Sequence, residues 1–169
     1  MLLDSEALGA LFTNFQHSAF RLETHQTYTM PAEAENVARF LRGEPKPADH
    51  NKAWHESIRA NLAAGKTMQR VKLVRRPLTD YSRCLFAWAI PGNTAAGEDY
   101  RIVDITDRAV ELPEQDFWLF DGQTVALLNF NPDGTLRDRE LVEGDGVAQY
   151  LRWRDVALSE SVPFSEYRA

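Results

Sequence analysis

Six basic residues, Lys66, Arg70, Lys72, Arg75, Arg76 and Arg83, fall between positions 66 and 84 against one acid, Asp80, a local charge of +5. Guanidinium groups gathered in this way suit phosphate or carboxylate, because their planar fork donates two parallel hydrogen bonds to two oxygens. Arg70 and Lys72 share one face of an alternating strand. Arg75 and Arg76 lie just past its end, where α/β sheets tend to place ligands. Arg83 follows on the next helix. The same residues read equally as a solvated face paired to Asp80 and Glu98. A second polar cluster, Glu98-Asp99-Tyr100-Arg101, follows Gly92 to Gly97, a run of small residues read as a mobile loop. Glu98 and Arg101 either line a pocket or close an ion pair with each other. The candidate anion- or ligand-binding set is therefore Arg70, Arg75, Arg76, Arg83, Glu98 and Arg101. No catalytic residue is assigned.

Other chemistries find less support. His50 and His55 are five residues apart, so a helix would carry them on different faces, and His17 and His25 flank a strand. No metal site is expected. Cys84, the sole cysteine, sits among bulky apolar neighbours and reads as a small buried hydrophobe. There is no G-x-S-x-G elbow, no G-x-x-x-x-G-K-[ST] loop and no G-x-G-x-x-G turn, so no cofactor is expected. Asp116 and Asp121 bracket an aromatic run at odd spacing. They would point to opposite faces of a strand, with Asp121 belonging to the turn.

Helices and strands must hold these residues. Leu8, Leu11, Phe12 and Phe15 recur at helical spacing behind Asp4 and Ser5, which can cap. A short strand follows, with Phe20 and Leu22 on one face and Arg21 and Glu23 on the other. Pro31 opens a second helix, with Glu33 and Glu35 favourable near its positive end. Trp54, Ile58 and Leu62 mark a third. Met68 to Val74 is a strand, then Leu78, Tyr81, Leu85 and Trp88 give a helix that Pro91-Gly92 ends. Tyr100 to Val103 is a strand. Asp121-Gly122 and Asn131-Pro132-Asp133-Gly134 separate three apolar runs, which predicts three antiparallel strands. A last helix runs from about Gly146 to Ser161. The expected fold is α/β (α+β), a mixed β-sheet flanked by helices, with a C-terminal antiparallel hairpin region.

The totals bound the rest. At 169 residues the chain is expected to be a single globular domain, 1–169. Its net charge is −6, with −9 carried by residues 85–169, which argues against direct nucleic-acid binding. No run is long enough for a membrane span, no signal peptide is legible, and no internal disulfide can form. The expected location is cytoplasmic. Four Trp, nine Phe and five Tyr leave room for an exposed patch and a homodimer.

Four stretches carry a resemblance. They are Ser18-Ala19-Phe20-Arg21-Leu22-Glu23-Thr24; Gln69 to Val74 running into Arg76-Pro77-Leu78-Thr79-Asp80-Tyr81; Ala95 to Arg101; and Leu112-Pro113 through Asp116-Phe117-Trp118-Leu119-Phe120-Asp121. Together they resemble an actinobacterial family of uncharacterised proteins, often encoded near helix-turn-helix regulators. The family has no agreed activity, so the resemblance implies a context and no catalytic residues; that context, with no complete catalytic set in the sequence, points to a non-enzymatic partner or sensor domain. It would work with such a regulator or bind a small anionic ligand. An enzyme acting on a phosphorylated or carboxylated small molecule is the alternative, with Glu98 as acid or base. The order of elements also looks like half of a phospholipase D-like domain. That superfamily needs H-x-K-x4-D, whereas His50-x-Lys52 here is followed by Ser57 where the aspartate would fall.

Overall fold

The computed structural model describes all 169 residues. Its elements run α1 (Ser5–Asn14), β1 (Ser18–Glu23), α2 (Pro31–Leu41), α3 (Lys52–Ala63), β2 (Thr67–Val74), α4 (Asp80–Cys84), α5 (Ile90–Ala96), β3 (Asp99–Asp104), β4 (Asp116–Phe120), β5 (Thr124–Phe130), β6 (Leu136–Val142), α6 (Val147–Glu160) and β7 (Val162–Pro163). The strands form one mixed sheet in the order β6-β5-β4-β1-β2-β3-β7. β1, β2 and β3 are mutually parallel, and β4, β5 and β6 form the expected antiparallel meander, joined to β1 through β4. No helix is long and apolar enough to cross a membrane.

Strand alternation sorts side chains into two layers. Phe20, Leu22, Val71, Leu73, Val103, Phe117, Leu119, Val125 and Leu127 face α6, whose Val147 and Ala157 complete that core. On the other face Ala19, Met68, Trp118, Phe120, Ala126 and Leu128 pack against α1, α3 and α5 through Leu8, Phe12, Ile58 and Ala96. The sheet is thus covered on both sides, and α2 packs on α4.

Pro91-Gly92 does not end a helix. Residues Leu85–Ala89 form a π-helical turn that continues directly into α5, which runs to Ala96 and stops at Gly97 (φ +115°). The wider turn leaves space for the proline ring and its missing N–H. Ile90, Asn93 and Ala96 are consequently buried, so the run from Gly92 to Gly97 is ordered helix and cap rather than a mobile loop.

Candidate functional site

The helical face of the sheet carries more than apolar side chains. The register sets Tyr100, Arg70, Arg21 and Trp118 in one row across β3, β2, β1 and β4. Lys72 and Glu23 lie opposite each other in the next row. Asp116, at the start of β4, bonds back to Arg21. Three cations (Arg21, Arg70, Lys72) and three carboxylates (Glu23, Glu98, Asp116) are all buried or nearly so.

Most of this network closes on itself. Arg70 donates from Nε to Glu98 Oε1 at 2.8 Å and from Nη1 to Glu23 Oε1 at 2.9 Å. Its guanidinium lies against the rings of Trp54, Tyr100 and Trp118. Trp54 Nε1 donates to the second Glu98 oxygen at 3.2 Å. Lys72, 0% exposed, donates to the His25 carbonyl at 3.2 Å and stands 3.9 Å from Glu23 Oε2. Asp116 accepts from Arg21 Nη2 (2.9 Å), Thr24 N (2.9 Å), Thr24 Oγ1 (2.5 Å) and the Tyr28 hydroxyl (2.6 Å). Burial would raise Glu23, but Lys72, Arg70 and Arg21 outweigh it and hold its carboxyl at about 2. Burial holds the Lys72 ammonium below its ordinary range despite Glu23.

Above this floor lies a cavity of about 480 Å³. Arg21, Arg70, Trp118 and Tyr100 contribute from the sheet, and Glu33, Asn36 and Val37 from α2. Thr79 caps α4, accepting from Ser82 N at 3.1 Å, which sets Tyr81 into the wall. Leu85 and Ala89, the two ends of the π-turn, face the same space, as do His50 and Trp54 from around α3. Arg139 reaches it from β6 and makes no ion pair or side-chain hydrogen bond.

Two buried side-chain nitrogen or oxygen atoms in the whole protein lack a hydrogen-bond partner: Arg21 Nη1 and His50 Nδ1. Both residues line this one cavity. Orphaned buried polar atoms are costly, by about 1–3 kcal/mol each, and that both belong to residues lining one cavity makes it the candidate site for a polar ligand. Burial, with Lys46 next, holds the His50 imidazole below its usual range. Glu33 has no cation partner; one oxygen accepts from the Tyr81 hydroxyl at 2.5 Å. Burial raises its pKa, and the Tyr81 bond only partly offsets that.

Of the candidate set drawn from the sequence, Arg70 and Glu98 come together here, bonded to each other. The remainder do not converge. Arg101 alternates to the opposite face of β3 and pairs with Asp99 at 3.1 Å. Arg75 caps the Ile105 carbonyl, Arg76 pairs with Asp104 and Asp107, and Arg83 pairs with Asp80, all at the exposed surface. Arg21, Arg139, Glu33 and His50 were not singled out as ligand contacts by sequence reasoning. The signal for Arg21 was its place beside Glu23 on one face of β1. No three or more His, Cys, Asp or Glu side chains are grouped as a metal would need.

A family model described as Domain of unknown function (DUF6879) matches residues 6–169. No curated protein matches the chain. Among solved structures the fold is similar to the phosphatidylserine synthase of Haemophilus influenzae Rd KW20, with a TM-score of 0.53 at 13% identity over 97% of this chain. The chain spans 38% of that chain's length.

Proposed function

The chain belongs to the DUF6879 family, and we propose that it is a non-enzymatic sensor domain that binds a small anionic ligand in the cavity beside Arg21. One observation carries this reading. Arg21, only 5% exposed, lines a cavity of about 480 Å³ and keeps one guanidinium nitrogen, Nη1, without any hydrogen-bond partner; the volume suits a small molecule. A carboxylate or phosphate oxygen would accept from Nη1 without disturbing the Arg21–Asp116 pair, which uses Nη2. Arg139 supplies further positive charge at the β6 side. The enzyme reading has less support, because both Glu98 oxygens are already engaged by Arg70 and Trp54. The similarity to the synthase is in keeping with a phospholipase D-like ancestry of the fold.

In this reading the domain is actinobacterial and cytoplasmic, and reports ligand occupancy to a helix-turn-helix regulator. The decisive experiment is calorimetry of the full chain with phenyl phosphate and phenylpropionate. Arg21→Lys keeps a positive charge opposite Asp116 and removes Nη1. It is expected to weaken binding about tenfold or more, the worth of one charge-assisted hydrogen bond. Unchanged affinity in that variant, with the fold intact by circular dichroism, would overturn the assignment.

A further inference from the structure

The cavity is not uniformly basic. Arg21, whose Nη1 is buried without a partner, lines it from the sheet, while Glu33 and His50, which can accept, line it from the helical side. Glu33, in the first turn of α2, has no cation within ion-pairing distance and gives only one oxygen to Tyr81. His50 Nδ1 is buried without a partner, and an imidazole in its neutral form can accept there. Aromatic rings also line it. Tyr28 packs against Phe130 at 5.0 Å and Tyr81 at 5.7 Å, and Trp54 lies 6.0 Å from Trp118. A simple anion would satisfy Arg21 and leave its charge facing the Glu33 carboxylate. A simple cation would satisfy Glu33 and face the buried guanidinium.

We infer that the ligand is bipolar: a ring-bearing small molecule with a carboxylate or phosphate on Arg21 and an amine donating to Glu33 and His50. This rests on the anion-binding reading above and deepens it. Arg21 and the acceptors are then satisfied together, and the ring occupies the aromatic walls, where a flat apolar body gains most. Carboxylate and phosphate share the chemistry that Arg21 recognises, so each needs its own probe.

The test is calorimetry on the full chain with matched probes. 4-(2-Aminoethyl)benzoate carries both groups across its ring, 4-ethylbenzoate lacks the amine, and phenethylamine lacks the carboxylate. Tyramine phosphate and phenyl phosphate form the phosphate pair. In at least one arm the bipolar probe is expected to bind about tenfold or more tighter than its singly charged analogues. Glu33→Gln is expected to erase that advantage by weakening the bipolar probe, while the anion-only probe, relieved of the facing carboxylate, binds at least as tightly as before. Glu33 lies on a helix with no buried residue, so this variant keeps the fold. Anion probes that bind through Arg21 but gain nothing from an amine would overturn the bipolar inference and leave the anion site standing. Absence of any Arg21-dependent binding would overturn both.

Discussion

Glu23 holds the buried charges together. Its folded pKa of about 2 lies below its ordinary 4.5, so its stabilising contribution is fully present above pH 4.5 and is lost as pH falls through about 2. Stability should therefore drop steeply across that acid window. Glu23→Gln should flatten the slope there. At neutral pH it should cost about 3–5 kcal/mol, because buried Lys72 loses the one carboxylate within ion-pairing distance, keeping only the more distant Asp116, and Arg70 loses one of its two. Adding Lys72→Met should recover much of the loss, since the two changes share one interaction. Urea titrations at stepped pH would show this, and an unchanged slope in the variant would contradict it. The alternation of Arg21 with Leu22 and of Arg70 with Lys72 about Val71 is legible in the sequence as a polar strand face. Its burial is not, because alternation normally marks water on one side. Here helices cover that side, and the polar residues satisfy one another around a cavity. Glu33 has the same ambiguity: from sequence it is only a favourable charge near a helix start, and its second role depends on α4 bringing Tyr81 beside it.

The elements around the cavity are positioned by a few backbone contacts. The turn between β5 and β6 presents Gly134 at φ +86°, where a Cβ would come within 2.9 Å of the Thr27 carbonyl. Thr29 N donates to the Gly134 carbonyl at 2.9 Å. That turn therefore clamps the loop that carries Tyr28 into the site. Gly134→Ala should cost at least about 1–2 kcal/mol from the left-handed conformation alone. It should also weaken binding of phenylpropionate by displacing Tyr28. Chemical denaturation and calorimetry on the same variant separate the two effects, and full affinity would show that the clamp does not set the site. The turn was legible in the sequence as Asn-Pro-Asp-Gly, and so were the three strands around it. The π-turn at Leu85–Ala89 was not. Apolar spacing reports an ideal helix, and a Pro-Gly pair reads as its end unless the turn before it widens. The parallel pairing of β1 with β2 also lies beyond local pattern, since it joins strands separated by two helices.

At the scale of the whole molecule the sheet divides two layers with different tasks. The α6 side is apolar, built from Phe117, Leu119, Val125 and their neighbours, with Tyr150 and Trp153 packed on it. The side beneath α2 to α5 holds the buried charges and the cavity. The four tryptophans report this division: Trp54 and Trp118 line the cavity, Trp88 packs behind it against Phe40, and Trp153 lies across the sheet. A ligand seated on Arg21 would lie among the rings around Arg70 and should change tryptophan emission chiefly through Trp54 and Trp118. Trp54→Phe should remove a large part of the change seen on titrating phenyl phosphate, while Trp153→Phe should leave it intact. If the signal instead followed Trp153, the ligand would be acting on the α6 layer or through a rearrangement of the whole sheet. The cavity would then be a structural void around a self-paired charge network. Because Trp153 is separated from Arg21 by the full thickness of the sheet, the two variants assign the binding layer before any ligand is identified.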